Sequence, residues 1–230
     1  MLGGVNIVLM DLSATAKRGY HHGDLRNALA EAATKLAKDG GPGSVTVRAA
    51  ARSVGVTPTA AYRHFAGHED LLAAAKEQCM QRLGEVMHRK LTELPPCGNR
   101  VQHALRNMLA AGRAYIQFAM EEPGIFRTCF SQGGSVLDKE PAEYIGQTNA
   151  FGILVGLLDE LVAAGYLAPE RRPMAEIAAW STVHGLAHLM LDGPLRDVPD
   201  EAKAEAITRA GLIMVRGLGE LTPEMEAGLL

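Results

Sequence analysis

The sequence predicts an all-α protein: two short helices joined by a tight turn inside a three-helix N-terminal unit, then a longer helical bundle. Two observations carry this expectation. Apolar residues recur at three- and four-residue spacing in almost every segment from residue 24 onward, and no segment alternates as a half-buried strand would. The interruptions are Gly- and Pro-rich runs such as DGGPG (39–43), LTELPPCGN (91–99) and DGPLRDVPD (192–200), the turn chemistry that separates helices.

The elements follow in order. Leu25, Ala28, Leu29, Ala32, Ala33 and Leu36 form one face of a first helix, with Asp24 as its expected cap and DGGPG as its end. Thr46 is placed to cap a short helix that turns Val47, Ala50, Ala51 and Val54 inward and stops at Gly55. Thr57 caps the next, with Pro58 at its first position, where a missing N–H costs nothing, and Val56 packs on Ala61 as a hydrophobic staple. This third helix is expected to reach Phe65. A longer helix runs from about His68 to Leu91, and further helices are expected over 100–121, 123–131, 141–165, 172–191 and 200–220, with SQGGSVLDKEP (131–141) as a connecting loop.

The 230 residues, 47% of them hydrophobic, suffice to bury a sizeable core. Cys79, Cys97 and Cys129 are odd in number and widely spaced, which argues against a disulfide framework or zinc finger and fits a reducing cytoplasm. The opening MLGGVNIVLMDLSATA has no basic leader and is too short to span a bilayer, so residues 1–16 read as a disordered arm, with no membrane association. Charge is uneven: residues 1–66 hold eight Lys and Arg against four acids, whereas the remainder holds 15 against 22. A basic end on an acidic body points to a polyanionic partner at that end. There is no P-loop, complete G-x-G-x-x-G or G-x-S-x-G, so nothing supports nucleotide-dependent or serine-hydrolase catalysis, and no cofactor is expected.

On a helical wheel, Ala61 and Phe65 point inward from the third helix. Arg63 lies opposite them with Thr59 and Ala60 beside it, and Tyr62 and His64 lie on the flanks. Small residues allow close approach to base edges, an arginine reaches guanine O6 and N7, and flanking Tyr and His tips meet phosphates. The pair of short helices therefore reads as a DNA-binding helix-turn-helix, Pro58 to Phe65 being the recognition helix. The capping Thr46 and Thr57 belong to the same surface.

VTVRAAARSVGVTPTAAYRHFAGHEDLL (45–72), preceded by GYHHGDLRNALAEAATKL (19–36), resembles the DNA-binding domain of TetR-family transcriptional repressors, especially in the Tyr62-x-His64-Phe65 end and the HEDLL start of the next helix. The resemblance implies a homodimer on an inverted-repeat operator. Each subunit would have a head at 17–67, a connecting helix at 68–91, and an effector-binding and dimerisation domain at 92–230. It implies phosphate contacts from Tyr62 and His64, base or phosphate contacts from Arg48 and Thr59, and an arm, Lys17, Arg18, Tyr20 and His22, reaching backbone or minor groove. His68 stands where the family usually has a phosphate-binding lysine, which leaves its backbone N–H as the phosphate donor.

In AWSTVHGLAHLMLDG, Ile177, Trp180, His184, Ala187, His188 and Leu191 share a stripe, and Trp-x-x-x-His-Gly is similar to a TetR subgroup named for those residues. Tyr115, Phe118, Phe126 and Phe130, with Met108 and Met120, have the composition of a small-molecule pocket, to which Trp180, His184 and His188 are added. The competing reading for each is ordinary core. His184, His188 and Asp192 have the spacing of metal ligands, and a helical metalloenzyme is the rival function, but without a Glu after His184 the H-E-x-x-H pattern is absent and no metal is assigned. A DNA-binding dimer without an effector is a third reading. Ile207, Ala210, Ile213, Met214 and Gly217 form the stripe expected to pair two subunits, with an intramolecular face as its rival.

Overall fold

The computed structural model describes residues 22–95, 97–131, 149–220 and 222–229, and among these every regular element is helical. The N-terminal unit contains α1 (His22–Gly40), α2 (Val47–Val54) and α3 (Pro58–Tyr62). α1 begins two residues before Asp24, so Asp24 lies in the first turn and is not the cap. α1 buries Leu29, Ala32, Ala33 and Ala37 and ends where Gly41 takes φ 68°, a left-handed conformation that glycine adopts without a Cβ penalty. A short 3-10 turn, Pro42–Ser44, follows, held by the Ser44 hydroxyl donating to the Leu36 carbonyl at 2.6 Å.

Both expected threonine caps form. Thr46 Oγ1 accepts the Ala49 N–H at 3.1 Å, and Thr57 Oγ1 accepts the Ala60 N–H at 3.2 Å, each satisfying a first-turn donor. Gly55, at φ 77°, ends α2, and Val56 N–H bonds back to Ala51 O at 3.0 Å in a Schellman arrangement. α3 is shorter than expected. Beyond Tyr62 the helix tightens: Arg63 bonds to Ala60 at 3.3 Å and His64 to Ala61 at 2.9 Å, three-residue closures that bring Phe65 down into the core. Burial of Phe65 contributes about 1.5–3 kcal/mol toward holding α3 on its neighbours.

α4 (His68–Thr92) runs from the head into the body. Its first half buries Leu71, Leu72 and Ala75; its second half buries Cys79, Leu83 and Met87. The body adds α5 (Arg100–Glu121), capped by Asn99 at 2.9 Å from Val101 N, and α6 (Pro123–Cys129). It continues with α7 (Ala150–Ala163), α8 (Ala175–Leu191), α9 (Asp200–Leu218) and a short α10 (Pro223–Ala227) that the sequence pattern did not predict. The expected start of α7 near 141, and most of the loop before it, lie outside the described residues. α8 starts at 175 and not 172, because Met174 takes a left-handed φ of 63°. One large hydrophobic core extends from Leu29 of α1 through Leu83 and Phe118 to Val215 of α9, so head and body are packed together, and Phe151 and Val155 of α7 form a small second cluster. No helix among the described residues is long and apolar enough to cross a membrane.

Candidate DNA-recognition surface and ligand cavity

Thr46, Arg48, Thr57, Thr59, Tyr62, Arg63 and His68 are all exposed on the head, with Ala60 and His64 half-buried among them. Tyr62 keeps 49% of its surface exposed, an unusual placement for an aromatic ring on a five-residue helix. The helix-turn-helix is braced from behind by Arg26, a residue sequence reasoning passed over. Its guanidinium sits 4.4 Å over the Phe65 ring, donates to the His64 carbonyl and lies 3.8 Å from Asp70. Asp70 in turn accepts the Ala66 N–H at 3.0 Å. The exposed His68 ring is held to the protein by Nδ1, which donates to the Val45 carbonyl at 2.8 Å and ties the start of α4 to the residue before the α2 cap. Its backbone N–H, in the first turn of α4, still points out of the helix end. Lys17, Arg18 and Tyr20 lie outside the described residues, and His22 is described only as the first residue of α1.

The body holds an apolar cavity of about 50 Å³. α4 supplies Met80 and Met87; α5 supplies Met108, Ala111, Gly112 and Tyr115; Phe130 follows α6. α7 contributes Ala150, Phe151, Leu154 and Leu157, α8 contributes Ala179, Trp180 and Val183, and α9 contributes Met214. Trp180 Nε1–H donates to the Tyr115 hydroxyl at 3.2 Å, and that hydroxyl lies 2.8 Å from His184 Nδ1. Burial pushes the Tyr115 phenol well above its ordinary range. His184 is lowered to about 4, chiefly by burial and secondarily by nearby His188, so its imidazole is neutral at pH 7. The rings form a continuous cluster, with centroids 5.6 Å apart for Trp180 and His184, 4.6 Å for Phe130 and His184, and 4.6 Å for His184 and His188.

The tetR-family profile of bacterial regulatory proteins matches residues 29–75, and the profile of the tetracyclin repressor-like C-terminal domain matches residues 108–212. The chain belongs to the TetR family. It is a DNA-binding transcriptional regulator. The C-terminal match includes Trp180, His184 and Gly185 but does not name the Trp/His/Gly subgroup. Among solved structures, a protein of unknown function from Rhodococcus sp. RHA1 is 26% identical, aligns over 89% of this chain and 100% of its own, and has a TM-score of 0.67. A TetR-family regulator from Marinobacter aquaeolei VT8 (18% identity, 86% and 96% coverage, TM-score 0.59) shares the fold. So does a putative tetR-family regulator from Shewanella sp. PV-4 (16%, 86% and 99%, 0.56). No curated protein matches the chain.

In this TetR-family regulator, the aromatic residues singled out from sequence fall into three places. Tyr115, Phe130 and Trp180 line the cavity. Phe118 and Phe126 are fully buried in the surrounding core, with Phe126 stacked edge-on to Tyr115 at 5.5 Å. His184 stands behind Tyr115 and Trp180, and His188 is exposed at the edge of the ring cluster. Asp192 does not join the histidines: Arg127 donates to both its oxygens, at 3.1 and 2.5 Å, and that hydrogen bonding holds its carboxyl below the usual carboxylate range. No group of three or more metal-ligating side chains gathers among the described residues. On α9, Ile207 is buried in the chain's own core and Met214 lines the cavity, whereas Ile213 (67% exposed) and Gly217 face out and Ala210 is intermediate. The methionines of α4 and the apolar face of α7 carried no sequence signal that separates a cavity wall from core.

Proposed function

We propose that this regulator is a homodimeric repressor that holds an inverted-repeat operator through α2 and α3 of each subunit and is released when a small molecule fills the cavity. The observation that carries the reading is that one helix serves both sites. α4 presents Met80 and Met87 to the cavity, while its first turn is tied to the recognition unit through Asp70, His68 and Leu71. A ligand that favours one position of Met80 and Met87 thereby biases the placement of the head, and typical couplings of this kind are about 1–3 kcal/mol.

A second route runs through α6. Phe130, just past its C-terminus, is in the cavity wall, and its N-terminal Gly124 lies against the last turn of α1. In this account, residues 17–67 are the DNA-binding head, 68–91 the connecting helix, and 92–230 the effector and dimerisation domain. Tyr62 and His64 contact phosphates, Arg63 reads a base, Arg48 and Thr59 support them, and the 17–22 arm reaches the backbone or minor groove. The exposed large hydrophobics among the described residues are Tyr62 on α3, Leu189 on α8, Ile213 on α9 and Met174 just before α8. Exposed apolar groups on the last two long helices are what a two-fold helix-pair interface uses, so the dimer stripe narrows to Ile213, Gly217 and Ala210 with the outer face of α8. The protein acts by binding and has no catalytic step, in the cytoplasm where its DNA lies.

Titrations on genome-selected palindromic and half-site DNA at several salt concentrations, with sedimentation of the protein alone, test this. The expected result is a dimer, a strong palindrome preference and steep salt dependence. A monomer with equal affinity for both DNAs contradicts it.

A further inference from the structure

The cavity's polar groups are already committed to one another, and this constrains what can enter. Trp180 has one donor, given to the Tyr115 oxygen. The Tyr115 proton needs an acceptor, and His184 Nδ1, 2.8 Å away on a neutral ring, supplies it. His184 therefore carries its own proton on Nε2, and it takes its hydrogen bond from the protein and not from a bound molecule, contrary to what its place in the Trp180 stripe suggests. Of this triad, one lone pair on the Tyr115 oxygen is left over inside the cavity; the His184 Nε2–H belongs to a ring that is not part of the cavity lining. No Lys, Arg, Asp or Glu lines the cavity among the described residues. The remaining wall consists of hydrocarbon, aromatic faces and the thioethers of Met80, Met87, Met108 and Met214, flexible and polarisable groups that adapt to aromatic rings.

We propose, resting on the ligand-responsive reading above, that the effector is an uncharged hydrophobic molecule of about one ring in size that offers at most one hydrogen-bond donor. A carboxylate or ammonium would lose its water with no counter-charge to replace it, and a carbonyl or ether would meet no side-chain donor in the cavity lining that is not already used. One ring is the upper bound: the cavity, about 50 Å³, is smaller than the roughly 150 Å³ that holds a benzene, so a ring enters only as the flexible Met80, Met87, Met108 and Met214 side chains shift.

Three probes share a methylphenyl body and differ at the head: toluene with none, p-cresol with one donor, and p-toluate with a carboxylate. Calorimetric titration of the full chain at pH 7.5 should show toluene and p-cresol binding, and p-toluate at least 30-fold weaker than p-cresol. Equal or tighter binding of p-toluate overturns the proposal, as does failure of both neutral probes to bind. Two variants place the site. Ala179→Leu, which grows into the cavity, should weaken toluene at least tenfold. Met214→Ala, which removes a wall, should retain toluene and admit naphthalene, and this decides the matter even if Ala179→Leu does not fold. Toluene and naphthalene affinities unchanged by Met214→Ala overturn the location. Operator release is measured separately: neutral probes that bind without releasing DNA uphold the ligand class and refute the release reading. Release by p-toluate, with no neutral probe bound, refutes the ligand class and leaves the release reading standing.

Discussion

Gly124→Ala should separate the head from the body with a single methyl group. A Cβ at this position would sit 2.9 Å from the Lys38 carbonyl carbon and closer still to the carbonyl oxygens of Ala37 and Lys38. All three are backbone atoms at the end of α1, so no side chain can rotate away. Restoring ordinary contact at about 3.5–4.0 Å requires α6 and α1 to part by about 1–1.5 Å. The overpacking is expected to cost about 1–3 kcal/mol, which for a chain of this size lowers Tm by roughly 2–12 °C. Glu122, which lies within 3.6 Å of Lys38 on α1 and also accepts from Arg82 on α4, would be pulled from one of them. Because α1 carries the Arg26 brace beneath α3, the displaced head should also lose operator affinity beyond what unfolding explains. Thermal melts and operator titrations on the folded fraction, with Gly43→Ala as an open-space control, provide the assay. An unchanged Tm and unchanged operator affinity in Gly124→Ala would refute the close α6–α1 packing and the route built on it.

Three other perturbations bear on the two sites. Tyr115→Phe strands the Trp180 N–H and the His184 Nδ1, so it should destabilise the body by about 2–4 kcal/mol, read by denaturant midpoint, while operator affinity in the absence of ligand stays within twofold; an unchanged midpoint contradicts the hydrogen-bonded triad. Arg63→Ala should cost about 1–3 kcal/mol at one operator base pair, whereas Tyr62→Phe should weaken all sequences alike, and a base-by-base operator scan separates them. His184 has a folded pKa of about 4, below its ordinary value of 6.5, so its contribution is fully present above pH 6.5 and is lost as pH falls from there through 4. The wild type should therefore lose more stability than His184→Gln across that window, and parallel curves contradict a buried neutral imidazole.

Local chemistry was the most legible part of the chain. Thr46, Thr57 and Gly55 act within four residues of themselves, so their sequence positions were enough to place the turn between α2 and α3. The end of α3 was misjudged because Phe65 must drop into a core built by α1 and α4, and that tightens the preceding turn. Phe126 and Phe130 illustrate a second limit: both are aromatic and four residues apart, yet one is core and the other wall, a distinction set by packing against distant residues, Tyr115 of α5 and Trp180, His184 and His188 of α8. On α9, a stripe broad enough to include Ile207 and Ile213 spans two faces of the helix, one buried and one exposed. Arg26 entered only the charge count of residues 1–66, since nothing in the sequence shows that Phe65 and Asp70 come beneath it.

If filling the cavity and holding DNA oppose each other through α4 and α6, thermodynamic linkage between the two ligands must show it. The affinity of p-cresol would be measured by calorimetry for the protein alone and for its saturated operator complex, and operator affinity would be measured with and without saturating p-cresol. The account predicts that each ligand weakens the other by the same factor, about 5- to 150-fold. Two affinities each indifferent to the other ligand would contradict it.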